Sequence, residues 1–306
     1  MLAAMIQGVR ASGCEIAGVF RHEKVTFSPL ELFIKDYFLP STEYSYIKNL
    51  KLYEINARSM NSPEFRNELK RLKTDILIVA SWGEKLKKET LSTPKIACIN
   101  VHPSLLPKYR GPNPYLQVIK NMETTSGVTF HLMDENFDTG SILAQYEVPI
   151  LPDDTGKILR SRTVMFAQHG ICELLEQLEQ GKITPKPQNE KEASYYPQVR
   201  IKDLMIDFSK SASEISAQIR AICDWQNCFF LHKGNYFMVR QCKVIKKFFT
   251  PCKPGTILDK NIGSIVAACG GGTAVQLVNP KLFSSTLRPL SGLYLQFMLK
   301  TGDKLL

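Results

Sequence analysis

The sequence has no apolar run that approaches the roughly 18–20 residues that a membrane-spanning helix needs. Its first residues, MLAAMIQGVRASG, lack the long apolar stretch of a secretory signal. None of the eight cysteines forms a C-x-x-C pair, which argues against a zinc ribbon and a thioredoxin-type site. Scattered thiols without a secretory signal are typical of a reducing compartment, so we expect a cytosolic protein.

Acidic residues are scarce in the last third of the chain. Residues 201–306 hold 14 Lys and Arg but only 6 Asp and Glu, whereas residues 1–200 hold 25 and 23. Most of the net charge of +10 therefore lies in the last third. Such an imbalance fits a domain that binds an anionic partner, and it equally fits a basic, solvent-exposed surface without one.

With 306 residues, 44% of them hydrophobic, the chain is long enough for two domains with buried cores. In the first two thirds, strand-like segments alternate with helical ones, which predicts a wound α/β domain with a largely parallel sheet. The apolar run ILIVA within 75–81 predicts a strand buried on both faces. Helices are expected over 2–12, 62–72 and 153–180, and strands over 15–20, 50–55, 75–81, 96–102, 127–134 and 142–150.

The pattern changes after residues 183–200, which are polar, contain three prolines and indicate a linker. A helix is predicted over 211–223, because Ser211 and Glu214 have the spacing of a capping box. Short strands separated by glycines follow, including a predicted hairpin around Lys233-Gly234-Asn235. This second pattern is typical of a small β-barrel.

The segment 96–102, IACINVH, carries the first candidate functional residues. The period of two in a strand places Asn100 and His102 on one face, at the end of the strand, where open α/β sheets build ligand sites. Asp138 follows in a second loop, although Asp before Thr-Gly is also typical of a simple turn. His131 alternates with apolar neighbours and is interpreted as structural.

Around these residues the sequence resembles the formyltetrahydrofolate-dependent formyltransferases. The resemblance lies in NVHPSLLPKYRG at 100–111, in GVT at 127–129, and in MD and DTG at 133–134 and 138–140. Past the linker, MIDFSKSA at 205–212, QIRA at 218–221 and Trp225 are similar to the C-terminal domain of the methionyl-tRNA formyltransferases within that family.

The resemblance implies a Rossmann-like formyltransferase domain and an OB-like, basic domain that binds tRNA. The expected limits are 1–183 for the catalytic domain, 184–202 for the linker and 203–306 for the C-terminal domain. Family members usually begin with a strand and a Gly-x-Pro loop before the helix that corresponds to residues 2–12. We therefore expect the natural chain to start upstream of Met1 and to include that strand.

The resemblance also implies a catalytic set of Asn100, His102 and Asp138 and the co-substrate 10-formyltetrahydrofolate, with no metal. The loop implied to lie against the folate consists of Ser104, Leu105, Leu106 and Pro107. In this chemistry an amine attacks the formyl carbon and negative charge builds on the formyl oxygen. Asn100 and a protonated His102 can donate to that oxygen, while Asp138 holds His102. No Ser or Cys nucleophile is required, because the folate already activates the formyl group.

The implied acceptor is the amino group of methionyl-initiator tRNA, so the reaction would support translation initiation. Candidate phosphate contacts in the basic last third are Arg220, Lys243, Lys246 and Lys247. Two alternatives stay open, an N-formyltransferase acting on a nucleotide-linked amino-sugar and a catalytically inactive RNA-binding relative. We expect no obligate protein partner and no membrane, and the bacterial cytosol or else an organelle as the compartment.

Overall fold

The computed structural model describes residues 1–21, 47–245, 252–284 and 288–306. They form two compact units. Unit 1 consists of Met1–Pro112, Gly127–Val148 and Ser161–Tyr195, and unit 2 consists of Asn113–Ser126, Pro149–Arg160 and Tyr196–Leu306. The chain passes between the units several times, and the domain limits expected from the sequence stay predictions. Within the described ranges, no helix is long and apolar enough to cross a membrane.

The four helices predicted from the sequence, over 2–12, 62–72, 153–180 and 211–223, are present to within a few residues, and the described residues also form three short helices that were not predicted. In chain order they are α1 (Leu2–Ala11), α2 (Pro63–Arg71), α3 (Lys88–Leu91), α4 (Pro114–Lys120), α5 (Gly156–Glu179), α6 (Ala212–Ile222) and α7 (Ser291–Phe297). Helix α2 begins after Ser62, whose hydroxyl accepts the backbone N–H of Phe65, and Pro63 fits the first turn because it needs no partner there. Helix α5 ends before Gly181, as predicted, where the left-handed φ of 65° suits glycine.

The sheet of unit 1 has the order β1-β2-β3-β4. Its strands are β1 (Ile76–Ala80), β2 (Ala97–His102), β3 (Thr125–Leu132) and β4 (Ile142–Pro149). Strands β1 and β2 pair in parallel, whereas β2 and β3 are antiparallel. The α/β, Rossmann-like fold class is confirmed, but the sheet of the described strands is mixed rather than largely parallel, because β3 runs against β2.

Two expectations for the first strands need correction. Strand β1 was expected to be buried on both faces, yet Ile76, Leu77 and Ile78 are only half-buried. Among the described strands it has a neighbour on one side only. The strands expected over 15–20 and 50–55 are reduced to one parallel bridge between Val19 and Glu54.

Helix α5 lies close against the sheet of unit 1 at Gly170. A Cβ atom there would come within 2.6 to 2.8 Å of the rings of Tyr146 and Phe130, so only glycine allows this approach. The two rings themselves pack edge to face, with their centroids 6.0 Å apart. The close packing fixes β3 and β4, the strands on either side of the loop that carries Asp138.

Unit 2 contains two antiparallel sheets in the region where the sequence predicts a small β-barrel. Its strands are β5 (Cys228–His232), β6 (Asn235–Val239), β7 (Gln241–Ile245), β8 (Ile257–Asn261), β9 (Ser264–Ala268), β10 (Ala274–Val278) and β11 (Lys281–Leu282). They form sheets of order β7-β10-β9-β8 and β11-β6-β5. The predicted hairpin joins β5 to β6, with left-handed φ angles at Lys233 and Gly234. The capping box of Ser211 and Glu214 at the start of α6 is also confirmed.

Candidate active site

Strand β2 brings Asn100 and His102 to one face of the sheet of unit 1. They stand two residues apart, and His102 is the last residue of the strand, as the period of two predicts. Asn100 is half-buried, whereas the His102 side chain is only 5% exposed. Both side chains contact the carboxylate of Asp138, so the structure brings the three predicted catalytic residues together in one cluster.

Asp138 lies in the loop between β3 and β4, at a left-handed φ of 60° that Asp tolerates better than most side chains. Gln188 holds this turn, since its Nε2 donates to the carbonyl oxygens of Asp138 and Gly140, each over 2.8 Å. The turn thereby aims the carboxylate at the end of β2. Its Oδ1 lies 3.3 Å from Nδ1 of His102 and 3.4 Å from Nδ2 of Asn100.

The protons of His102 follow from its partners. Nε2 lies 2.9 Å from the carbonyl oxygen of Tyr109, and a carbonyl only accepts, so Nε2 carries a proton. Nδ1 faces Oδ1 of Asp138. Both contacts are hydrogen bonds only when both ring nitrogens are protonated, so the geometry suits an imidazolium ion beside a carboxylate.

The carboxylate of Asp138 is held in its charged form. Burial raises the pKa of Asp138, but the hydrogen bond and charge of His102 and the backbone N–H of Gly111 outweigh it and hold the pKa below its usual value. The Gly111 N–H donates to Oδ2 over 2.9 Å. The cluster thus combines amide and imidazole donors with an ionised acceptor, which can stabilise a developing oxyanion and accept a proton.

The face of β2 that carries Asn100 and His102 provides no reactive cysteine nucleophile. Cys98 stands two residues before Asn100, but its thiol is buried and its Sγ lies 3.5 Å from the Leu91 carbonyl oxygen. Burial raises the pKa of the Cys98 thiol to about 12, so the thiolate is scarce at neutral pH. In the described ranges, no group of three or more His, Cys, Asp or Glu side chains could hold a metal ion.

The loop after β2 is fixed by its own hydrogen bonds. The Ser104 hydroxyl is fully buried and donates to the Lys108 carbonyl over 2.8 Å, and the Leu106 N–H donates to Thr129 Oγ1 over 3.1 Å. Leu106 is buried, whereas Leu105 and Pro107 are half-buried. The loop therefore presents apolar surface and a fixed backbone rather than free side-chain donors.

His131 belongs to the cluster, although the sequence interpretation made it structural. It is directly opposite Asn100 in the pairing of β2 with β3, and the Nε2 of its ring lies 3.0 Å from Nδ2 of Asn100. The same nitrogen is 3.9 Å from Oδ1 of Asp138. The period of two shows which residues share a face within one strand, but the pairing register between strands was not predicted.

The predicted phosphate contacts have different surroundings in unit 2. Arg220 donates from Nη1 to the Asp154 carbonyl oxygen over 2.7 Å and is half-buried, whereas Lys243 is exposed on β7. Lys246 and Lys247 lie outside the described residues. Arg220 thus already donates to an acceptor within unit 2, whereas Lys243 is exposed and accessible to a phosphate.

Two family models match the chain. The model described as formyl transferase matches residues 37–175, and the one described as formyl transferase, C-terminal domain, matches residues 198–282. Together with the fold and the cluster at the end of β2, these matches define the class: the chain belongs to the formyltransferase family, and it is an enzyme of that family.

The similar curated proteins are methionyl-tRNA formyltransferases. The one from Caldanaerobacter subterraneus subsp. tengcongensis is 33% identical over 250 residues, which are 82% of this chain and 76% of that protein. The one from Alkaliphilus oremlandii is 34% identical over 268 residues, 85% of this chain and 82% of that protein. Within the formyltransferases, the chain therefore belongs with the methionyl-tRNA formyltransferases.

Solved structures share the fold at lower identity. WlaRD, a sugar 3N-formyl transferase, superposes with a TM-score of 0.67 at 17% identity, covering 92% of this chain and 94% of its own. The N-formyltransferase of Helicobacter canadensis has a TM-score of 0.61 at 21% identity, covering 78% and 82%. At this identity the likeness concerns the fold alone.

Proposed function

We propose that this enzyme transfers the formyl group of 10-formyltetrahydrofolate to the amino group of methionyl-initiator tRNA. The observation that carries the proposal is the convergence of Asn100 and His102 on one carboxylate oxygen of Asp138, at 3.4 and 3.3 Å. The similarity to methionyl-tRNA formyltransferases over more than four fifths of the chain supports tRNA as the acceptor.

The cluster supports a division of roles in the transfer. Asn100 donates an amide N–H to the formyl oxygen as it gains negative charge, a contribution of roughly 3–4 kcal/mol in comparable oxyanion sites. His102 acts as a second donor once its Nε2 leaves the Tyr109 carbonyl. Asp138 keeps His102 charged and accepts the proton that the amine releases, directly or through water. The bond between the formyl carbon and the folate nitrogen then breaks, and that nitrogen takes up the proton and leaves as tetrahydrofolate.

The surface of the loop Ser104–Pro107 suits the binding of a folate. Leu105 and Pro107 are half-buried and leave some apolar surface exposed, which suits an aromatic ring system better than a charged group. The Leu105 side chain lies against Gly127, where a Cβ would come within 2.3 Å of it, so the leucine is held in place. The Ser104 hydroxyl is used within the loop, and we assign it to shaping the loop rather than to binding the folate.

We assign the tRNA to the basic C-terminal region, over the expected limits 203–306. Its excess of cations, 14 Lys and Arg against 6 Asp and Glu over 201–306, provides the attraction for phosphates that dominates nucleic-acid affinity. Exposed Lys243, with Lys246 and Lys247 close to it in the sequence, is the proposed contact. The compartment proposed with this function is the bacterial cytosol, without an obligate protein partner.

The test supplies formyl donor and alternative acceptors to the same preparation. The protein is incubated with 10-formyltetrahydrofolate and either charged initiator tRNA or a nucleotide-linked amino-sugar, and the formylated product is identified by mass. We expect formyl-methionyl-tRNA, and a loss of at least about 100-fold in His102→Ala. The exposed, matched His169→Ala should keep wild-type activity. Formylation of the amino-sugar alone, or of neither acceptor, would overturn the proposal.

A further inference from the structure

His131 is a buried imidazole in contact with a proposed catalytic amide. Its side chain is only 2% exposed, and its backbone pairs with Asn100 across β2 and β3. Both ring nitrogens have partners within unit 1. A buried, fully bonded histidine has one preferred arrangement of its protons, and the partners identify it.

The backbone of the next residue fixes the tautomer of His131. Nδ1 lies 2.7 Å from the Leu132 carbonyl oxygen, which can only accept, so Nδ1 carries a proton. Burial, the largest cause, and the charge of His102 hold the pKa of His131 below its usual value. The hydrogen bond to Leu132 and the carboxylates of Asp138 and Asp134 raise this pKa but are outweighed. The neutral ring then has a free lone pair on Nε2, which accepts a hydrogen bond.

This lone pair sets the orientation of the Asn100 amide. Nε2 of His131 lies 3.0 Å from Nδ2 of Asn100, so the amide NH₂ donates to it. With the amide turned over, its oxygen would face the same lone pair, and two acceptors would repel each other. Nδ2 lies 3.4 Å from Oδ1 of Asp138, so its second N–H makes only a long contact there, which an oxyanion could replace.

We propose that His131 is a positioning residue for formyl transfer, which holds the Asn100 amide with an N–H directed at the formyl oxygen. The role rests on the function proposed above, since it acts on the same oxygen. His131 itself does not touch the substrate. It selects one of the two amide orientations before the substrate arrives, so Asn100 need not reorganise in the transition state.

The same contacts predict what protonation of His131 does. A proton on Nε2 needs an acceptor, and it finds one when the Asn100 amide turns its oxygen toward the ring. The other groups that face this ring are His102, which is a donor at both nitrogens, and the carboxylates of Asp138 and Asp134. Oδ1 of Asp138 is 3.9 Å away and offers the alternative acceptor. In either case the Asn100 amide loses the acceptor that fixed its orientation, and turnover falls on the acid side.

The test compares two substitutions of similar size. His131→Leu fills the space without an acceptor, whereas His131→Gln supplies an oxygen that can accept from Asn100 but does not titrate. We expect kcat to fall about 100-fold in His131→Leu with little change in KM, because misplacing one group costs this much. His131→Gln should recover most of that loss, and its acid-side fall in kcat should move to lower pH, where Asp138 becomes the titrating group. The exposed His169→Gln is the matched control.

A second readout does not depend on activity. The ¹⁵N chemical shifts of the imidazole nitrogens in the wild-type protein should show a neutral His131 with its proton on Nδ1. A proton on Nε2 at neutral pH, wild-type kcat in His131→Leu, or equal losses in folded Leu and Gln variants would each overturn the positioning role. If the wild-type enzyme formylates an amino-sugar instead of tRNA, the function proposed above fails, and the same kcat comparison with that acceptor still decides the role of His131.

Discussion

Gly111 donates its backbone N–H to Oδ2 of Asp138, whereas Oδ1 of the same carboxylate faces the side chains of His102 and Asn100. The two oxygens are thereby divided between a fixed backbone donor at Oδ2 and side-chain donors at Oδ1. Oδ2 fixes the position of the carboxylate, and Oδ1 contacts the other proposed catalytic side chains. The charge of the Asp138 carboxylate can therefore be removed without losing the contact with Gly111 that fixes its position, and a substitution tests this.

The charge of Asp138 is tested by Asp138→Asn. Asparagine has the same shape, tolerates a left-handed φ and can still accept from Gly111 through its amide oxygen. We expect the variant to fold with a somewhat lower thermal midpoint, because the ionised carboxylate is favoured in the folded state, and to lose at least about 100-fold in kcat. Steady-state kinetics with a melting curve measure both. The exposed Asp153→Asn is the control, and near-full activity in Asp138→Asn would show that the carboxylate is dispensable.

The capping box of α6 predicts a stability difference within one helix. Ser211 accepts the Glu214 N–H, and the Glu214 carboxylate accepts the Ser211 N–H. Ser211→Ala should lower the free energy of unfolding by about 1 kcal/mol, the usual cost of losing such a cap. Ser213→Ala, at an exposed site in the first turn of the same helix, should be neutral or slightly stabilising. Urea denaturation distinguishes them, and equal effects of the two substitutions would contradict the capping role.

Asp303 makes the stability of unit 2 depend on pH. Hydrogen bonds from Lys233 and from the Lys300 backbone, with a further one from His232, lower the pKa of Asp303 to about 2 from an ordinary value of 3.8. Because the folded-state pKa is depressed, this contribution is complete above the unfolded-state value and is lost as the pH falls toward 2. Asp303→Asn should flatten the stability profile between about pH 4 and pH 2. The exposed Asp259→Asn should leave it unchanged, and parallel profiles for the two variants would refute the assignment.

Charge reversal tests the proposed tRNA contact. Lys243→Glu, Lys246→Glu and Lys247→Glu together should weaken tRNA binding and make its log–log salt dependence shallower by about 2 to 3 in slope, if each lysine neutralises one phosphate. Folate binding should not change. Lys88→Glu, at an exposed lysine of unit 1, is the control for charge alone. If the triple variant binds tRNA as tightly as the wild type, the tRNA interface lies elsewhere.

The sequence was sufficient for features that depend on neighbours along the chain. The period of two placed Asn100 and His102 on one face, and the spacing of Ser211 and Glu214 located the start of α6. The role of His131 was missed because it depends on which residue of the neighbouring strand stands opposite, and the register between β2 and β3 is a tertiary property. The partial exposure of β1 was missed for the same reason, since burial is also a tertiary property.

Gly140 shows how far the requirements of the cluster extend. Glycine after Asp-Thr in a turn is ordinarily explained by backbone freedom, but the left-handed residue of this turn is Asp138. What Gly140 provides is space, because a Cβ atom there would come within 1.8 Å of the Leu132 carbonyl oxygen. That oxygen holds the Nδ1 proton of His131. A single methyl group at position 140 would therefore displace the Leu132 carbonyl oxygen and allow the His131 imidazole to change tautomer. It would thereby change the orientation of the Asn100 amide, two hydrogen bonds away, without contacting it.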